Sequence, residues 1–256
     1  MSLVKLSIEN HVLKMCLNRP EKMNAFNIEM LQQLAEAFTQ LEDTPELRCG
    51  FLYYQGSHFT SGLDLAEVGP SVQQGHSLFT ENLVDPVQVS GRRRTKPVVM
   101  AVGGYCLTIG IELILATDIC IAHQETKFGQ IEIKRGIFPF GGATVRMPQR
   151  CGWGNAMRYL LTGDMFSGEE ARRIGMVQEI VDNPIELGLQ IAKTIAAQAP
   201  LGVYATMASG NETVAKGEET ALKSLHGTAR ELMNSEDARE GMLSFVERRE
   251  ANFKGT

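Results

Sequence analysis

The sequence is poor in the features that mark membrane and secreted proteins. It has no uncharged apolar run long enough to cross a bilayer, because its most apolar helical segment, residues 109–116, is short and carries Glu112. Residues 1–5 contain neither a signal-type apolar run nor a cleavage signature. We therefore expect a cytoplasmic protein that has no membrane as a partner.

Cysteine is present but never forms a CxxC pair. The five cysteines are odd in number and lie mostly among apolar neighbours, as Cys120 does between Ile119 and Ile121. This usage is typical of buried free thiols in a reducing compartment and argues against a disulfide framework. The five histidines also lack the spacing of metal ligands, so we expect no bound metal.

The signatures of several other classes of protein are missing as well. The sequence has no GxSxG nucleophile elbow and no Walker loop. Gly152 and Gly154 would begin a dinucleotide fingerprint, but Met157 stands where the third glycine is needed. The net charge of −5 gives no reason to expect nucleic acid as a partner. Aromatic residues make up only 7%, and we expect the single tryptophan, Trp153, in the core.

The first half of the chain alternates strand and helix patterns. Residues 3–8 and 12–17 predict a β-hairpin, and Asn27 can cap a helix over 28–41 whose apolar residues share one face. Further strands are predicted at 50–54, 97–102 and 119–122, and a helix at 109–116. Residues 69–95 are poorly patterned and predict an irregular helix with a mobile segment.

After about residue 150 the sequence shows almost only helical patterns. Their spacing predicts an α/β core over residues 1–195 that holds the active site, followed by a helical region over 196–256. The apolar faces of that helical region exceed what one flank of a core needs, which indicates an oligomer interface. Such faces contain Leu222, Leu225, Leu232, Met242 and Phe245.

Three segments taken together resemble the crotonase (enoyl-CoA hydratase/isomerase) superfamily over nearly the whole chain. They are NRPEKMNA at residues 18–25, FTSGLDL at 59–65, and the stretch from Lys96 through Glu112 to FGQIE at 128–132. Their order and spacing carry the resemblance, since each segment alone is weak. It implies a crotonase-type ββα spiral core with a helical C-terminal region that trimerises, giving a homotrimer or a hexamer built as a dimer of trimers.

The resemblance also implies an acyl thioester of coenzyme A as substrate, with coenzyme A part of that substrate and no separate cofactor. The backbone N–H groups of Leu63 and Ile109 should form the oxyanion hole, and Glu112 and Glu132 should be catalytic. Asp64 should hold the oxyanion loop by accepting backbone N–H bonds. Phe253 and Lys254 should reach the adenine and phosphate end of coenzyme A in a neighbouring subunit. The substrate-binding positions implied in full are Lys22, Ala25, Ser61, Gly62, Asp64, Leu65, Gly110, Phe253 and Lys254.

The chemistry of an unsaturated thioester explains why such residues are needed. Addition of water places negative charge on the thioester oxygen, which two backbone N–H groups stabilise more in the transition state than in the ground state. Of two carboxyl groups around one water, one can act as the general base that accepts a proton and the other as the general acid that donates one. The resemblance suggests that Glu132 donates to the α-carbon and Glu112 activates the water, although a coupled pair titrates jointly.

Each glutamate has a second interpretation. A carboxylate in the apolar helix around Glu112 could be a buried structural ion pair, and Glu132 could be a surface partner of a helix dipole. The residues Thr108, Ile109 and Gly110 stand where the family often has three glycines, Ile131 replaces a common proline, and Phe140 begins a less glycine-rich loop. We expect an enoyl-CoA hydratase. The alternatives are a Δ3,Δ2-enoyl-CoA isomerase and a catalytically silent acyl-CoA-binding protein.

Overall fold

The computed structural model describes residues 2–256. Strands and helices alternate through the first half, and the chain ends in three long helices. The strands are β1 (Val4–Glu9), β2 (Val12–Leu17), β3 (Cys49–Tyr54), β4 (Val98–Val102), β5 (Tyr105–Leu107), β6 (Ile119–His123), β7 (Lys127–Gly129), β8 (Phe166–Ser167) and β9 (Glu179–Val181). The helices are α1 (Ile28–Asp43), α2 (Leu65–Gln73), α3 (Ile109–Ala116), α4 (Ala143–Cys151), α5 (Trp153–Leu160), α6 (Gly168–Arg173), α7 (Pro184–Ala196), α8 (Pro200–Lys216), α9 (Glu218–Met233) and α10 (Glu236–Glu247).

Two sheets form the core. The larger sheet has the strand order β1-β2-β3-β4-β6-β9 and is parallel except where β1 runs antiparallel to β2. The smaller sheet has the order β5-β7-β8, so consecutive strands of the chain leave one sheet and join the other. This alternation places the ends of β5 and β7 beside the start of α3, where the candidate site lies.

The hairpin β1–β2 forms as predicted. Asn10 and His11 both have positive φ, 48° and 63°, and Glu9 pairs directly with Val12. A two-residue turn of this kind matches the twist of antiparallel strands and favours asparagine, which tolerates the left-handed region.

The helix predicted after Asn27 is also confirmed. The Asn27 side chain accepts a hydrogen bond from the Met30 backbone N–H at 3.0 Å, and the helix runs to Asp43. Its buried face includes Leu34 and Phe38, which pack into the main apolar core.

The central strand of the larger sheet, β4, is buried on both faces. All five residues of β4 are buried: Met100 faces the main core, whereas Val99 and Ala101 face α7. Such continuous apolar runs are typical of strands covered on two sides. On the α7 side Gly188 lies against Phe51, where an added Cβ would be only 2.7 Å from the ring, so the helix can approach the sheet closely.

Several short elements were not predicted. The strands β5, β7, β8 and β9 have only two or three residues, and the expectation of almost pure helix after residue 152 is wrong at β8 and β9. Trp153 was expected in the core but is 72% exposed at the start of α5. Within residues 69–95 the irregular helix is confirmed by α2, which contains Pro70.

The C-terminal helices extend from the core. Helices α8 and α9 pack against each other, and several of their apolar residues stay exposed, including Leu222 and Leu225 on α9. The final residues return to the core side, because Arg48 donates a hydrogen bond to the Phe253 backbone carbonyl at 2.7 Å. The division of the chain at residues 195 and 196 stays a prediction. Within residues 2–256 no helix combines the length and the apolar character that crossing a bilayer would require.

Candidate active site

The candidate active site is a cavity of about 200 Å³ between the loop before α2, the start of α3 and the 3-10 helix Glu132–Arg135. We call it the catalytic cavity. It brings together both glutamates and both residues whose amides were predicted to bind the oxyanion. Its lining residues are Ser61, Leu63, Leu65, Thr108, Ile109, Glu112, Ile131, Glu132, Arg135, Ile137 and Phe140.

The backbone on both sides of Leu63 is held by hydrogen bonds to Phe26. The N–H of Phe26 donates to the Gly62 carbonyl, and the N–H of Asp64 donates to the Phe26 carbonyl, each at about the usual length. The N–H of Leu63 itself has no acceptor among residues 2–256. Gly62 has a φ of 110°, a conformation that side chains rarely adopt, so glycine is required at this turn. A rigid loop therefore presents one free donor to the cavity.

The second free donor lies at the first residue of α3. The Ile109 N–H has no acceptor within the described chain, because an intrahelical partner exists only from the second turn onward. The start of a helix also favours negative charge. Thr108 precedes it with φ 50° and ψ −112°, which is strained for a residue with a side chain, and its hydroxyl is buried without a partner in residues 2–256. Such strain is typical of functional sites.

Glu112 is buried on a helix whose eight residues are all buried. Its Oε1 accepts hydrogen bonds from the backbone N–H groups of Gly141, at 2.6 Å, and Ala143, at 3.4 Å. Burial and, to a lesser extent, the nearby Glu132 raise the pKa of the Glu112 carboxyl to about 7, against the opposing effects of the two amides and of the Arg146 charge. Among residues 2–256 no cationic side chain lies within ion-pair distance of Glu112. A structural ion pair therefore does not account for this carboxyl group.

Glu132 begins the 3-10 helix and is only 8% exposed. Burial raises the pKa of its carboxyl to about 7. Its Oε2 is buried and accepts no hydrogen bond from any residue that the structure describes. The alternative of a surface partner for a helix dipole is wrong, since the side chain is buried and faces the catalytic cavity. Leaving a buried polar atom unpaired costs free energy, which a bound ligand can recover.

The two carboxyl groups suit acid–base chemistry near neutral pH. Both face one cavity. The pKa of each is raised to about 7, which suits a group that gains or loses a proton during catalysis near neutral pH. The two N–H donors on Glu112 favour its ionised form. Glu132 has no comparable donor on Oε2 and is the better candidate to hold the proton.

Asp64 differs from its prediction. Its carboxylate pairs with Arg19 at 3.1 Å. It accepts no backbone N–H at the start of α2, so the prediction that it holds the loop through backbone hydrogen bonds is wrong. Arg19 is buried and also donates to the Ala25 carbonyl at 2.9 Å. The guanidinium thereby joins two loops that flank the site. The arginine stands inside the quoted motif, yet its partner lies 45 residues further along the chain and could not be read from local sequence.

The other predicted binding positions divide into two groups. Ser61 and Leu65 line the catalytic cavity with the two glutamates. Lys22, Ala25, Gly62, Asp64, Gly110, Phe253 and Lys254 do not line it. Gly110 has a packing reason to be glycine, because an added Cβ would lie 2.7 Å from the Thr60 methyl. Phe253 and Lys254 lie near α10, where Asp237 accepts the Lys254 backbone N–H at 2.7 Å.

Sequence reasoning missed two lining residues. Arg135 and Ile137 follow Glu132 closely and face the cavity with it. Side chains three residues apart eclipse each other in a 3-10 helix, so the spacing from Glu132 to Arg135 would have been a signal had that helix been predicted. Thr108, Ile131 and Phe140 were recognised only as departures from a pattern.

Comparison with known proteins agrees with this fold. The model of the family described as enoyl-CoA hydratase/isomerase matches residues 7–256. The enoyl-CoA hydratase EchA19 of Mycobacterium tuberculosis is 33% identical over 95% of this chain and 93% of its own. A 1,2-epoxyphenylacetyl-CoA isomerase of Escherichia coli is 32% identical over 100% of this chain and 99% of its own. The crystal structure of a probable enoyl-CoA hydratase/isomerase from Mycobacterium abscessus superposes with a TM-score of 0.95 at 47% identity, covering 99% of each chain.

Proposed function

Because this chain belongs to the enoyl-CoA hydratase/isomerase family and is an enzyme with the crotonase fold, we propose that it is an enoyl-CoA hydratase. It would add water across the α,β double bond of an acyl thioester of coenzyme A. The observation that supports this choice is the pair of buried carboxyl groups, Glu112 and Glu132, facing one cavity with two free backbone N–H groups.

The oxyanion hole acts on the thioester carbonyl. The N–H groups of Leu63 and Ile109 donate to its oxygen, on which negative charge develops as the α,β-unsaturated system is attacked. Both donors are held before substrate binds, one by the bridge to Phe26 and the other by the start of α3. Little reorganisation is then needed when charge appears.

The glutamates move the protons. Ionised Glu112, with Oε1 held by the Gly141 and Ala143 amides, accepts a proton from water as the hydroxide oxygen bonds to the β-carbon. Neutral Glu132 donates its proton to the α-carbon, and the enolate electrons form that C–H bond. The pair starts and ends with one proton, now on Glu112, so exchange with solvent restores the starting state. One shared proton is what two close buried carboxyls favour.

The two alternatives fit the site less well. An isomerase needs a single base, and a protein that only binds acyl-CoA needs no buried carboxyl at all. Burying a carboxyl group without an ion-pair partner costs free energy, and this site does so twice. We therefore place hydration ahead of double-bond migration, and both ahead of silent binding.

The neighbouring subunit completes the proposed substrate site. We propose a homotrimer or a dimer of trimers in the cytoplasm, in which Phe253 and Lys254 bind coenzyme A held by an adjacent chain. The exposed apolar residues of α9 and α10 supply a surface for that contact, including Leu222, Met242 and Phe245.

The test of function is turnover of a panel of thioesters. Enoyl-CoA and 3-hydroxyacyl-CoA substrates of several chain lengths are followed at the absorbance of the conjugated enoyl thioester. We expect hydration of 2-enoyl thioesters and dehydration of 3-hydroxyacyl thioesters. Ready conversion of a 3-enoyl thioester with no detectable hydration would establish the isomerase instead. Coenzyme A binding with no turnover of any substrate would establish the silent binder.

A further inference from the structure

A second cavity, of about 660 Å³, opens beside the catalytic cavity. We call it the distal cavity. The two share Leu63, Leu65, Arg135, Ile137 and Phe140, so they adjoin each other. Helix α2 forms one wall, and the segment after the 3-10 helix forms the other. Its remaining lining residues are Val68, Gly69, Val72, Gln73, Gly136 and Phe138.

The distal cavity is the natural place for the acyl chain. Under the proposed function, the thioester carbonyl lies at the N–H groups of Leu63 and Ile109. Leu63 lines both cavities, so a chain that extends from the carbonyl away from coenzyme A enters the distal cavity directly. Its walls are mainly aliphatic and aromatic, which suits methylene groups.

Arg135 is the single charged residue lining the distal cavity within the part of the chain that the structure describes. It ends the 3-10 helix that Glu132 begins. Its side chain is exposed to solvent at the edge of the cavity, and the guanidinium makes no hydrogen bond and no ion pair with any of residues 2–256. The adjacent Lys134, by contrast, pairs with Asp164 at 3.7 Å.

Arg135 is also not the counterion of the catalytic pair. An adjacent guanidinium would lower the pKa of Glu132, yet that pKa is raised to about 7 by burial with only a backbone hydrogen bond opposing it. The cation therefore has no partner in the chain and lies beside an apolar cavity. A guanidinium exposed at the edge of an apolar cavity is free to bind a planar oxyanion through two parallel hydrogen bonds.

We propose that Arg135 binds a carboxylate at the far end of the acyl chain, so that the preferred substrates are mono-thioesters of unsaturated dicarboxylic acids. This inference rests on the proposed function, because that function places the thioester at the mouth of the distal cavity. The phosphates of coenzyme A are a second source of negative charge. The acyl carboxylate is favoured because the distal cavity has apolar walls and a single cation, whereas several phosphates call for several cations.

The experiment compares two substrates that differ only in the terminal group. One is a straight six-carbon 2-enoyl-CoA, and the other is the same chain with a carboxylate in place of its terminal methyl group. We expect kcat/KM for the carboxylate substrate to fall roughly 10- to 100-fold in Arg135→Met, the usual range for a hydrogen bond to a charged group. The value for the neutral substrate should stay within about threefold. Lys134→Gln is the matched control, since it removes the neighbouring cation, and it should change neither substrate.

The same variants are examined for binding by calorimetry. Adipyl-CoA and hexanoyl-CoA, the saturated counterparts, should differ in affinity in the parent and bind alike in Arg135→Met. This measurement needs no turnover, so it tests the role of Arg135 even if the protein proves not to be a hydratase. Equal losses for both thioesters, or a parent that prefers the neutral chain, would overturn the inference. Weaker binding of free coenzyme A by Arg135→Met would assign the cation to a phosphate.

Discussion

The Thr108 hydroxyl lies where a side chain at Gly62 would begin. A Cβ added to Gly62 would overlap Thr108 Oγ1, and the φ of 110° at Gly62 disfavours any side chain independently. These two residues directly precede Leu63 and Ile109, whose amides form the proposed oxyanion hole. The close contact therefore sets the spacing between the two N–H donors.

This contact predicts the effect of Gly62→Ala. The added methyl group must push the two segments apart, which misplaces both donors at once. We expect kcat to fall about 10²- to 10³-fold, the usual cost of losing one oxyanion donor. Gly154→Ala is the control, because nothing lies within 4 Å of an added Cβ there and the residue is helical. A Gly62→Ala enzyme with parental kcat would show that the spacing does not matter.

The long elements and the two candidate glutamates could be predicted from the sequence for different reasons. Helix α1 has an asparagine cap and a repeating apolar face, which are local signals. Glu112 was conspicuous because it interrupts an apolar helix, whereas Glu132 gained weight only through its pairing with Glu112 and the family resemblance. Its burial depends on the fold and is invisible in the local sequence.

The parts that escaped prediction depend on contacts distant in sequence or on very short elements. Strands β5 and β7 have three residues each, which is too short for an alternation pattern. The partner of Asp64 was mistaken because Arg19 reaches it across 45 residues. Arg135 was overlooked because it is an exposed arginine beside a lysine, and only its position at the two cavities distinguishes it from other surface residues.

Glu132→Gln tests the proposed proton donor. Glutamine keeps the shape and the polarity of the side chain but has no acidic proton to give to the α-carbon. We expect hydration to fall at least about 100-fold while the affinity for coenzyme A is retained. Stopped-flow absorbance of the enoyl thioester measures the rate of hydration, and calorimetry measures the affinity for coenzyme A. Hydration within a few-fold of the parent would remove Glu132 from the mechanism.

The pH dependence of activity should report the carboxyl pair. Hydration requires one proton on Glu112 and Glu132 together, and the pKa of each is raised to about 7. A pair with two protons lacks the base and a pair with none lacks the acid, so kcat/KM should follow a bell centred near neutral pH. A pH profile that is flat from 5 to 9 would contradict a rate-determining role for the pair.

The same groups predict how stability varies with pH. Their folded-state pKa of about 7 lies above the ordinary value of 4.5, so the folded chain binds more protons than the unfolded chain between these pH values. The contribution of both groups to stability is complete below about pH 4.5 and is lost as the pH rises through 7. We expect Tm to fall more steeply from pH 5 to 8 in the parent than in the Glu112→Gln, Glu132→Gln double variant. Parallel curves in a thermal denaturation series would refute this.

Exposed apolar residues at the C-terminus predict assembly. Phe245 on α10 is 85% exposed, and Met242, one turn earlier, is 55% exposed. Light scattering should give a mass of about three or six times the 28.2 kDa of one chain. Phe245→Glu should shift the mass toward the monomer and weaken coenzyme A binding, if Lys254 of one chain serves the site of the next. A parent that is monomeric at micromolar concentration would contradict the proposed assembly.

The sharpest test concerns the Ile109 N–H, which no side-chain deletion can remove. Proline lacks the donor, but the residue before a proline avoids conformations such as the φ 50° and ψ −112° of Thr108, so Ile109→Pro would distort the site. Replacing the peptide bond between Thr108 and Ile109 by an ester removes the donor and preserves the side chain. We expect kcat to fall about 10²- to 10³-fold with coenzyme A affinity retained.

An ester before Glu218, at the start of α9, is the matched control and should leave kcat unchanged, because that exposed helix end lies outside the catalytic cavity. Ile109→Gly keeps the N–H and should remain much closer to the parent than the ester, although it loses the packing of a buried side chain. If the glycine variant and the ester lose kcat equally, the side chain matters more than the amide, and the oxyanion hole has been placed wrongly.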